Sequence, residues 1–156
     1  ARNLDQLRVS VCYGDYNVLV VGAHGGVSVG PDGATHQELE ALFQMTGLPN
    51  MRVAVPCDAV ETEKMTRTLL FDVVGPKYLR FAREATPIVT KPDTPFVFGE
   101  ANVYRYRGET ENFVDAFEIT LASEYENEGE ELTIISCGPE TAEAQTVRRR
   151  VAKPGD

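Results

Sequence analysis

His24, Asp32 and His36 fall close together in one glycine-rich stretch, NVLVVGAHGGVSVGPDGATHQ. An imidazole has an unperturbed pKa of about 6.5, so it can give or take a proton near neutrality. A carboxylate such as that of Asp32 can accept a hydrogen bond from a ligand hydroxyl. Gly25, Gly26, Gly30 and Gly33 allow tight turns or close approach of the backbone to a ligand. The stretch begins with an apolar strand, and in open α/β sheets ligands gather at the carboxyl ends of strands. Together these residues read as a polar binding site. Each also has a plainer reading. His24 could simply cap a strand end, Pro31-Asp32-Gly33 is a strong turn signal on its own, and His36 could satisfy a helix start.

The elements that must position these side chains follow from the spacing of apolar residues. Residues 18–21 form a continuous β-branched run, as in a parallel strand covered on both faces. From Thr35 the pattern turns helical, with Leu39, Leu42, Phe43 and Leu48 on one side and Gly47-Leu48-Pro49 closing the element. MRVAVPC reads as a second strand. Asp58 precedes a helix over 60–71, with Val60, Met65, Leu69 and Leu70 on its apolar side and Glu61, Glu63, Lys64 and Arg67 toward solvent. A third strand spans 77–82. This alternation predicts an α/β fold: a parallel sheet with helices on both faces and right-handed crossovers.

Pro87, Pro92 and Pro95 interrupt residues 84–100, which read as an extended linker crossing a surface. A further strand is placed at 103–106 amid alternating aromatics and an acidic run. Residues 131–137 read as an apolar strand and the residues from Pro139 or Glu140 as a helix, the start of a second α/β unit. The resulting division is 1–90, 91–130 and 131–156.

Composition narrows the function classes. The chain has 156 residues, 42% hydrophobic and 25% charged, as for one globular domain. Fifteen basic against twenty-four acidic residues give a net charge of -9, which disfavours nucleic acid and anionic membrane. The cluster Arg148, Arg149, Arg150 and Lys153 is read as complementing the negative end of a helix dipole. No run approaches the roughly 20 apolar residues of a membrane helix. The first residues, ARNLDQLRVS, lack a secretory signal core, and a cytoplasmic location is expected. Cys12, Cys57 and Cys137 have no metal-ligand or disulfide spacing and are read as small core residues.

The block HGGVSVGPDGATHQELEALFQMTGLPNMRVAVPCDAVET resembles the pyrimidine-binding domain of transketolase, in the form of stand-alone C-terminal transketolase subunits. The match continues into GPKYLRFAR, similar to a family strand with a phosphate-binding arginine. It loosens beyond residue 90, where EELTIISCGPETAEA resembles the opening of the family's C-terminal domain.

The resemblance implies a thiamine diphosphate enzyme of pentose phosphate metabolism that moves a two-carbon ketol unit between sugar phosphates, the cofactor carrying the bond-breaking chemistry. By the same match, His24 lies near the reacting carbonyl. His36 reaches substrate oxygens at the channel. Asp32 accepts a substrate hydroxyl, and Arg83 grips the sugar phosphate with its planar fork of donors. Arg80 is expected to face away from Arg83 as a surface or interface charge. Pro31 stands where the family usually has an acidic residue, and Thr46 where it commonly has an arginine.

The family's Gly-Asp-Gly motif and its downstream Asn, which hold the divalent metal (Mg) and the diphosphate, do not occur in this sequence. Neither does the block with the glutamate that activates the aminopyrimidine. The resemblance therefore implies that an N-terminal transketolase subunit or domain completes the thiamine diphosphate site, that the chain is inactive alone, and that it is oligomeric. Two alternatives remain open: a deoxyxylulose phosphate synthase-like enzyme, and a catalytically dead module that binds a partner or a sugar phosphate.

Overall fold

A computed structural model describes residues 2–151, with side chains for residues 3–147. Its order begins with α1 (Arg2–Gln6), which runs into a π-helical stretch (Leu7–Cys12) ending on buried Cys12. Next come β1 (Leu19–Gly22), α2 (Ala41–Thr46), β2 (Arg52–Ala54), α3 (Ala59–Phe71) and β3 (Lys77–Arg80). The antiparallel strands β4 (Asn102–Tyr106) and β5 (Phe117–Leu121) follow, then α4 (Glu140–Val151). Lys153 lies outside the described residues. No helix among them is long and apolar enough to cross a membrane.

The chain divides into two compact units. The first takes residues up to Pro56 together with Met65–Ala85; the second takes Cys57–Lys64 and the residues from Thr86 onward. The first unit holds a parallel sheet of order β1-β3-β2. β3 is central, which explains why Lys77, Tyr78 and Leu79 are all buried while the flanking strands are only partly so. Val20 and Val53 both pair with Tyr78. Lys77, although buried, donates to Asn17 Oδ1 and to the Val73 carbonyl at 2.8 Å.

α2 begins at Ala41 rather than at Thr35. Gly26 N–H donates to the Glu38 carbonyl at 2.7 Å in an antiparallel bridge, which holds Glu38 extended and delays the helix. Being so short, α2 leaves Leu39 67% and Phe43 83% exposed, while Leu48 is buried as expected. α3 matches its expected span and buries Met65 and Leu69, although Leu70 is exposed.

Asp58 caps α3 in the second unit. Its Oδ1 accepts from Glu61 N–H at 2.8 Å, while Glu61 Oε2 accepts from Cys57 N–H at 2.7 Å. This reciprocal pattern is a capping-box variant displaced by one residue. The same Asp58 carboxylate accepts from the backbone N–H groups of Val89 and Thr90 at 2.8 and 2.7 Å and from the Thr90 hydroxyl. Val89 and Thr90 are consequently 1% and 3% exposed. The proline-rich segment is irregular and mostly exposed or half-buried as expected, but Val89 anchors it in a core with Cys57 and Ala142.

The strand expected at 103–106 is β4, and it pairs with β5, which the sequence reading did not place, in a hairpin with Asn102 opposite Leu121 and Tyr106 opposite Phe117. Residues 131–137 form no strand and are exposed, so the helix α4 stands without the expected strand before it. Cys137 is exposed, unlike buried Cys12 and Cys57. Burial pushes the Cys57 thiol well above its ordinary pKa, with neighbouring Glu61 and Asp58 adding to the effect.

Candidate functional site

All four residues singled out from the sequence lie in the first unit, at or beyond the carboxyl ends of β1 and β3. Those strands are hydrogen-bonded neighbours, so the loops leaving them are neighbours too. The ladder continues past the strands: Phe81 N–H donates to the Gly22 carbonyl at 2.8 Å, and Gly25 N–H to the Phe81 carbonyl at 3.3 Å. The loop carrying His24 is thus stitched to the segment that leads to Arg83.

His24 is exposed and holds a φ of 64°, one of only three non-glycine residues with positive φ among those described. The left-handed region is uncommon for a side chain with a Cβ, and such outliers concentrate at functional sites. The following chain turns at Gly30–Asp32, a single 3-10 turn with Pro31 inside it, and Gly33 N–H closes it on the Gly30 carbonyl at 3.0 Å.

Arg83 bridges that turn. Its Nη1 donates to the Val29 carbonyl at 2.8 Å and to Asp32 Oδ2 at 3.2 Å. The two side chains are 40% and 47% exposed. An ion pair so open to solvent contributes about 0–1 kcal/mol, and a competing anion can displace the carboxylate at little cost. The structure thus brings Arg83 and Asp32 together. It does not join the histidines to them: His36 Nδ1 is 2.9 Å from the Thr35 hydroxyl, and neither ring hydrogen-bonds Asp32 or Arg83. With α2 starting at Ala41, His36 lies in the loop and satisfies no helix start.

Arg80 corrects the sequence reading. It was expected as a surface or interface charge facing away from Arg83, but its Nε is buried and it forms no ion pair among the described residues. Its guanidinium lies against Gly25 and Gly26, on the loop whose Val29 and Asp32 Arg83 engages. Nearby Tyr78 fills the space that a Cβ at Gly22 would occupy. Burial raises the Tyr78 pKa, Glu38 raises it further, and Arg80 opposes both. The signal that could have found Arg80 was the Gly25-Gly26 pair itself, since adjacent glycines mark a close approach.

Among the described residues no group of three or more His, Cys, Asp or Glu could hold a metal ion. These residues do not fit a divalent metal with its diphosphate.

The family model "Transketolase, pyrimidine binding domain" matches residues 1–89. One subunit of the apulose-4-phosphate transketolase of Phocaeicola vulgatus is 40% identical over 103 residues, which cover 65% of this chain and 33% of that protein. A putative transketolase C-terminal section of Methanocaldococcus jannaschii is 36% identical over 140 residues, 88% of this chain and 37% of the relative. Among solved structures, an inactive beta4 tetramer of a split-gene transketolase matches with a TM-score of 0.57 and 36% identity, covering 67% of this chain and 32% of that one. The chain spans about a third of the length of these curated relatives.

Proposed function

The chain belongs to the transketolase family through its pyrimidine-binding domain, and from that premise we propose that it is one component of a thiamine diphosphate-dependent transketolase transferring a ketol unit between sugar phosphates. In this reading the cofactor, with its divalent metal, is completed by an N-terminal transketolase subunit or domain, and the present chain supplies the substrate side. Relatives whose names describe a single transketolase subunit and a C-terminal section support that division of labour. A beta4 tetramer described as inactive supports the expectation of an oligomer that needs a further chain for activity. Residues 1–90 are assigned to the pyrimidine-binding domain and 131–156 to the start of a C-terminal-like domain, with 91–130 between them. The cytoplasm is the proposed location.

The observation that carries the reading is the adjacency of β1 and β3, which brings the loops of His24 and Arg83 to one sheet end. His24, exposed and without a hydrogen bond to Asp32 or Arg83, is available to exchange a proton with a bound hydroxyl or carbonyl. Arg83 is available to an incoming phosphate because its resting partner is the half-exposed Asp32. On release from Arg83, Asp32 becomes free to accept a substrate hydroxyl.

The test is ketol transfer reconstituted with a chain that carries the diphosphate site. His24→Ala is expected to lower kcat by about 10²–10⁴-fold, the usual range for a lost acid-base group. Arg83→Ala is expected to raise KM for phosphorylated sugars. Unchanged kinetics in both variants would overturn the reading. Turnover with pyruvate as donor would move the chain to the deoxyxylulose phosphate synthase alternative. Stabilisation by a sugar phosphate with no turnover in any partnered assay would favour the inactive binding module.

A further inference from the structure

Arg80 differs from Arg83, Arg105 and Arg107 in what surrounds its guanidinium. Arg105 is held by Glu130 at 2.6 Å, Glu128 at 2.9 Å and the Glu126 carbonyl. Arg107 is held by Glu118 and Glu128, and Arg83 by Asp32 and the Val29 carbonyl. Arg80 Nε is buried and has no hydrogen-bond partner. No carboxylate among the described residues pairs with this side chain; Glu38, which shares the Tyr78 neighbourhood with it, does not form an ion pair to it. A Cβ at Gly25 would overlap Nε and stand 2.6 Å from both Cζ and Nη2, and one at Gly26 would stand 3.3 Å from Nη2. The guanidinium therefore lies directly against the backbone one residue beyond His24.

A guanidinium stays charged at every accessible pH and offers five N–H donors in a fixed plane. Leaving such a group partly buried without an acceptor is costly unless something supplies one. The glycine pair supplies no side-chain acceptor; it makes room for the guanidinium itself, which packs on Gly25 and Gly26. On these grounds we propose that Arg80 is a second oxyanion-recognising residue of this site, taking an anionic group of the small-molecule ligand at Gly25-Gly26 while Arg83 takes another beside Asp32. This rests on the proposed transketolase role, in which the loop faces a ligand. The oxyanion is either a phosphate or the carboxylate of a 2-oxo acid donor; both present two oxygens to a guanidinium in a bidentate match.

The test is a nuclear magnetic resonance titration of the intact protein with inorganic phosphate and, separately, with pyruvate. It follows the Arg80 Nε–H signal and the Gly25 and Gly26 amides. One of the two anions is expected to shift all three signals in the wild type. Arg83→Met is expected to keep all three shifts; in Arg80→Met the shifts of the Gly25 and Gly26 amides are expected to weaken at least tenfold, with Arg80→Lys between the two. The anion that acts identifies the source. If neither anion moves the Arg80 Nε–H signal in the wild type, the proposal is wrong. It is equally wrong if the glycine amides still respond in Arg80→Met. A phosphate response lost only in Arg83→Met reports on the phosphate grip of Arg83 and overturns the role of Arg80, so the two ideas fail separately.

Discussion

His24 shows how much of a site can be strained at a single residue. Its left-handed backbone costs of order 1 kcal/mol or more relative to glycine. If that cost is retained for function, His24→Gly should raise unfolding free energy by roughly 0.5–1 kcal/mol while removing activity in the reconstituted enzyme. Chemical denaturation of the two forms measures the first effect, and a loss of stability would show that the ring has packing contacts that outweigh the strain. The residues of the loop were legible in the sequence because Gly25, Pro31 and Gly33 punctuate it and because the surrounding blocks resemble a known family. The pairing of Arg83 with Asp32 was not legible, since it depends on which strands lie side by side. The contact of Arg80 with Gly25 and Gly26 was not legible for the same reason: it too depends on β1 and β3 lying side by side.

At the scale of elements, α3 was read correctly from its apolar spacing and from Asp58 ahead of it, both local signals. What local signals could not show is that Asp58 also holds Val89 and Thr90, a contact across about thirty residues. A 3% exposed carboxylate with that many donors fixes a helix start and an irregular segment at once. Asp58→Ala is expected to cost about 2–4 kcal/mol, because it strips acceptors from several buried N–H groups. The hydrogen exchange of the Val89 and Thr90 amides should rise by a similar free energy. An exchange change confined to α3 would mean that residues 89 and 90 are held by packing alone. The helix starting at Ala41 was misplaced by the sequence because Glu38 is committed to Gly26, a bridge that no periodicity encodes. β5 was legible but went unread: FEITL alternates apolar and polar residues, the period of a strand, ahead of the acidic run that drew the reading.

For the molecule as a whole, the exposed apolar side chains matter most. Tyr13 is 84% exposed, Phe43 83%, Phe71 76% and Val74 70%, all in the first unit. Exposed apolar surface on this scale marks association sites when it is contiguous, and the oligomer proposed above would have to cover it. Phe43→Lys and Phe71→Lys are each expected to shift the sedimentation coefficient toward that of a monomer without loss of helical circular dichroism. Wild-type protein that sediments as a monomer at micromolar concentration would contradict this.

The division between the two units crosses the chain more than once, and one crossing lies inside α3, between Lys64 and Met65. Recombination that swapped one unit for a homologous piece would have to break an intact helical ladder or carry the whole of α3 with it. Natural exchange of this segment among relatives should therefore favour breakpoints outside residues 57–71. A library of chimeras would show the same preference as a trough of soluble expression across α3.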